Sequence, residues 1–125
     1  MDTDDFAFAV RRYVHDGIAE STGEGLINPS GRKPSQNTAE LSEWYRNLPE
    51  SDRAMALKLV ARGSHAALFG LLCVLDGVKA IENLPERGTL RLIHESNSGK
   101  VVLGDSENCS DLHDAFQATF GNDIP

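Results

Sequence analysis

Cysteine, positive charge and long apolar runs are all scarce in this chain, and each scarcity closes off a class of protein. Only Cys73 and Cys109 are present among 125 residues. They form no CxxC pair and no zinc spacing, which excludes a disulfide scaffold and a zinc finger. Twelve Lys and Arg against 19 Asp and Glu give a net charge of -7, which argues against nucleic acid as a partner because phosphates would be repelled. The start, Met-Asp-Thr-Asp-Asp, is acidic where a secretory signal is basic. The longest strongly apolar run, Ala66 to Leu75, has ten residues, against the roughly 20 that cross a bilayer. No membrane segment is therefore expected, and the chain is expected in the cytoplasm. The phosphate-loop, dinucleotide-binding, nucleophile-elbow and HExxH patterns are missing, so no catalytic residue, metal or cofactor is assigned.

What is present is ordinary globular material: 40% hydrophobic and 25% charged residues, enough for one domain spanning 1–125 with its own core. Its acid is uneven. Residues 101–125 carry five acidic side chains and no Lys or Arg. Asp105, Glu107, Asp111 and Asp114 are therefore a candidate interaction surface for a basic partner, although solubility alone also accounts for them.

Periodicity predicts a helix from Thr3 to about Ala19, with Phe6, Val10, Tyr13, Val14 and Ile18 on one face. Glycines and prolines between 20 and 36 predict a loop or flexible linker. A second helix is expected from Asn37 or Thr38, with Asn37 and Glu40 as a capping-box-like start. Its stripe is Leu41, Trp44, Tyr45 and Leu48, and Pro49 ends it. Trp44 and Tyr45 read as core anchors or as an interface hot spot. A long central helix follows, from Glu50 to Ile81 or Glu82, with Met55, Leu59, Val60, Ala66, Ala67, Leu71, Val74, Val78 and Ile81 as its apolar face. Thr89–His94 and Lys100–Leu103 predict a β-hairpin. Ser110 is expected to cap a last helix from Asp111 to Phe120. The fold class is therefore α+β: three or four helices, one long and central, with the hairpin packed on them.

Ala56, Gly63, Gly70 and Gly77 recur every seven residues, a period that drifts only about 20° per repeat on a helix. A close-packing seam is the expected use, with a break near Gly77 or a ligand groove as alternatives. Asp76 and His65 are the candidate polar core or pocket residues on this helix. Eleven positions apart, they are separated by about 16 Å of helix rise and form no dyad. Cys109, His113 and Asp114, with His94, offer metal-ligand chemistry but no zinc-specific spacing, and Ser110-Asp111 reads more simply as a helix start.

The groups Ser42-Glu-Trp-Tyr45 with Leu48-Pro49, Asp52-Arg53, Phe69-Gly-Leu-Leu-Cys-Val-Leu-Asp-Gly-Val78 with Ala80-Ile-Glu82, and Leu112-His-Asp114 with Phe116 together resemble a family of small bacterial proteins of unknown function. That likeness spans roughly 40–120 and implies a fold without catalytic residues. Small, acidic, motif-poor chains of this kind are often toxin-neutralising immunity proteins. The functional expectation is a non-enzymatic interaction domain, immunity-like in its most concrete form. A small-molecule binder or minor enzyme with a pocket near Asp76 is the alternative, and a structural homodimer joined through the long helix is the third.

Overall fold

In the computed structural model, which describes residues 1–107 and 109–125, the chain is mostly helical with one antiparallel hairpin. The order is α1 (Thr3–Val10), a π-helical turn (Arg11–His15), α2 (Ile18–Ile27), α3 (Gln36–Asn47), α4 (Glu50–Leu75), β1 (Leu92–Ser96), β2 (Gly99–Leu103) and α5 (Leu112–Ala118). The α+β class and the long helix agree with the sequence reading; several boundaries do not.

The first helix starts on a reciprocal cap: Asp5 N donates to Asp2 at 2.8 Å, and Asp2 N donates to Asp5 at 3.3 Å. It then widens, with Asp16 N reaching the Arg11 carbonyl at 2.9 Å in an i to i+5 bond. The extra residue in that turn shifts the helical phase. Thr3, Ala7 and His15 face inward, while Tyr13, Val14 and Ile18, expected in the core, lie on the surface.

Residues 20–36 are not one long loop, because α2 runs through 18–27. Gly23, read as a breaker, sits in the helix because a neighbour needs its place. A Cβ there would stand 3.0 Å from the Tyr45 hydroxyl and 3.3 Å from Leu57. Tyr45 is buried at this crossing, and Ser42 donates to the Leu26 carbonyl. The loop shrinks to 28–35, and Ser35 rather than Asn37 caps α3, accepting from Thr38 N at 3.2 Å.

The long helix ends at Leu75, short of the expected Ile81. Gly77 takes φ +75°. Val78 N bonds the Cys73 carbonyl at 3.0 Å and Gly77 N bonds the Val74 carbonyl at 3.1 Å, the paired closure of a helix that stops on a left-handed glycine. The hairpin is longer than expected at its turn, pairing Leu92 with Leu103 through Ser96 with Gly99. Thr89 to Arg91 lie outside it.

The core lies at one end of the molecule, where Ala7, Leu72, Leu103, Leu112, Ala115, Phe116 and Phe120 are buried together. Phe6, Leu68, Phe69 and Leu92 pack against it. The hairpin therefore joins the helices through Leu92 and Leu103, one facing pair.

Candidate functional site

Asp76 resolves into a structural role that the sequence left open. Its side chain is 1% exposed. Its carboxylate accepts from Leu112 N at 3.0 Å, His113 N at 2.8 Å and His113 Nδ1 at 2.6 Å. The residue that caps the C-terminus of α4 thus satisfies free N–H groups at the start of α5. Gly104 makes room for this: a Cβ on it would lie 2.6 Å from Leu112 Cγ and 2.9 Å from the Asp76 carboxylate.

Asp76 with His113 has the outline of a carboxylate-oriented base, but neither thiol is set to be its nucleophile. Burial, then the charges of Asp76 and Asp114, push the Cys73 thiol up from its ordinary value, opposite to what an attacking thiolate needs. Cys109 lies instead against Thr3 Oγ1 at 3.1 Å.

His65 does not join Asp76 and does not occupy a solvated edge. It is buried, with Nε2 3.0 Å from Gln117 Oε1. Its ring stacks on Phe116 at 5.5 Å and meets Phe120 edge-on at 4.8 Å. His15, which the sequence reading passed over, enters the same cluster through the π-helical turn. It contacts Phe120 at 4.9 Å and the Ala61 carbonyl at 3.2 Å. The sequence held one signal for these imidazoles, namely polar positions at helical spacing opposite apolar ones.

A cleft of about 260 Å³ lies beside Asp76, between the end of α4 and residues 79–90. Two of its charged residues are engaged locally: Arg87 donates to the Gly77 carbonyl, and Glu82 accepts from Gly88 N at 2.8 Å. The pocket reading loses its central group, because the Asp76 carboxylate is committed to α5.

Donor atoms of Asp111, His113 and Asp114 lie within 4.8 Å of one another, without Cys109 or His94. They form the first turn of α5. His113 Nε2 and Asp114 are 3.4 Å apart. Among the acidic residues, Glu107 and Asp114 are exposed, while Asp105 and Asp111 are half-buried. Thr3 accepts from Gly104 N at 3.0 Å, which brings the start of α1, with Asp2, Asp4 and Asp5, against this segment.

The largest surprise is the outer face of α4. Met55 is 62% exposed, Leu59 71% and Leu71 55%, and Val78, just past the helix end, is 63% exposed. The stripe expected to face the core faces out instead. The helix is held from its other side by His65, Leu72 and Cys73. Gly63 and Gly70 are not a filled seam either, since a Cβ on either would meet nothing within 4 Å. Trp44 and Tyr45 divide: Tyr45 is buried, whereas Trp44 is 53% exposed. Trp44, with Leu48, Met55, Ala56, Leu59 and Pro125, lines an apolar depression that continues the face.

This helix also bears on the membrane expectation. Its 26 residues include an 18-residue window of hydropathy 1.4, so by length and composition it could cross a bilayer. Counting an unbroken run hid this, because Arg62, Gly63, Ser64 and His65 interrupt the run while the apolar residues on both sides keep the average high. Only 17% of that window is buried.

Comparison with protein-family models, curated proteins and solved structures finds no match, so the resemblance to a bacterial family rests on the quoted residues alone.

Proposed function

We propose that this chain is a non-enzymatic interaction domain that docks a protein partner on the outer face of α4. One observation carries the reading: Met55, Leu59 and Leu71 on the longest helix are turned to solvent, continued by the exposed Trp44. Contiguous exposed apolar surface of this kind marks association sites, and aromatic residues such as Trp are enriched among the anchors of interfaces. The buried, fully engaged carboxylate of Asp76 favours this over a catalytic site. Two free cysteines suit a reducing compartment such as the cytoplasm.

An immunity-like version uses the acidic end, where Thr3, flanked by Asp2, Asp4 and Asp5, is hydrogen-bonded to Gly104. It calls for a basic partner and gains on-rate more than affinity from charge. The test common to both is photo-crosslinking in living cells, with a photoreactive residue at Leu59, Leu71, Glu107 or Lys100. A discrete adduct at Leu59 and Leu71, absent at the hairpin residue Lys100, supports docking on α4. An adduct at Glu107 alone moves the site to the acidic end, and no adduct at any position overturns the interaction reading.

A further inference from the structure

We draw no further inference here: the strongest candidate, the side-chain cluster of Asp111, His113 and Asp114 around the first turn of α5, rests on acidic groups at the start of a seven-residue helix, with no independent feature among the described residues that points to a ligand.

Discussion

Asp76 and His113 meet at 2.6 Å between Oδ2 and Nδ1, and this contact fastens the end of α4 to the start of α5. Replacing the carboxylate leaves the Leu112 and His113 N–H groups without their partner in a nearly dry site. Asp76→Ala should destabilise the fold by about 3 kcal/mol, the cost of losing a helix cap together with charged hydrogen bonds. Asp76→Asn keeps one acceptor oxygen and should cost about half as much. Urea midpoints of the three proteins at one concentration check this order, and an Asp76→Ala protein as stable as the parent would refute the capping role.

Gly104 stands behind that cap. Its φ is +72°, and a methyl on it would push into Leu112 Cγ at 2.6 Å. Strain in the left-handed region and overpacking act together, so Gly104→Ala should cost about 2–4 kcal/mol. The same denaturation series measures it. Combined with Asp76→Ala, the loss should fall short of the sum, because both changes act on one contact.

Cys73 and Cys109 should differ sharply towards thiol reagents. Cys73 is buried and its thiol is held protonated above the ordinary value of 9.0, by burial first and then by the charges of Asp76 and Asp114. Cys109 is exposed. One thiol should react quickly in the native protein and the second only after unfolding. The linkage has a definite sign: the folded state holds this proton more tightly than the unfolded state. The contribution of Cys73 is therefore full below the ordinary thiol value and lost as pH rises past it. Cys73→Ser, which has no such thiol, should show a weaker fall in stability across that alkaline range.

The fold was legible where local chemistry decides it. The hairpin, the Pro49 junction and the long helix follow from turn residues and periodicity. What failed was direction. Tyr13 and Val14 fit an inward stripe until the π-helical turn rotates them out, and an inserted residue of phase leaves no mark in composition. For α4 the stripe itself was right, but amphipathicity does not say whether an apolar face meets its own domain or another molecule. Gly23 was misread for a related reason, since the close approach of Tyr45 that requires it comes from a helix twenty-two residues later. The Asp76–His113 contact joins positions 37 apart, with the hairpin between them, so no local pattern announces it.

The evenly spaced glycines of α4 separate under substitution because their backbones differ. Gly63 and Gly70 have helical conformations and open space around a new Cβ. Alanine at either should raise the stability of the fold by about 0.5–1 kcal/mol through helix propensity and a less disordered unfolded chain. Gly77 also has open space, but its φ of +75° ends the helix. Gly77→Ala should therefore cost about 1–2 kcal/mol, with no clash involved. Thermal unfolding midpoints check both signs, and an unchanged or lowered midpoint for Gly63→Ala and Gly70→Ala would refute the helix-propensity account.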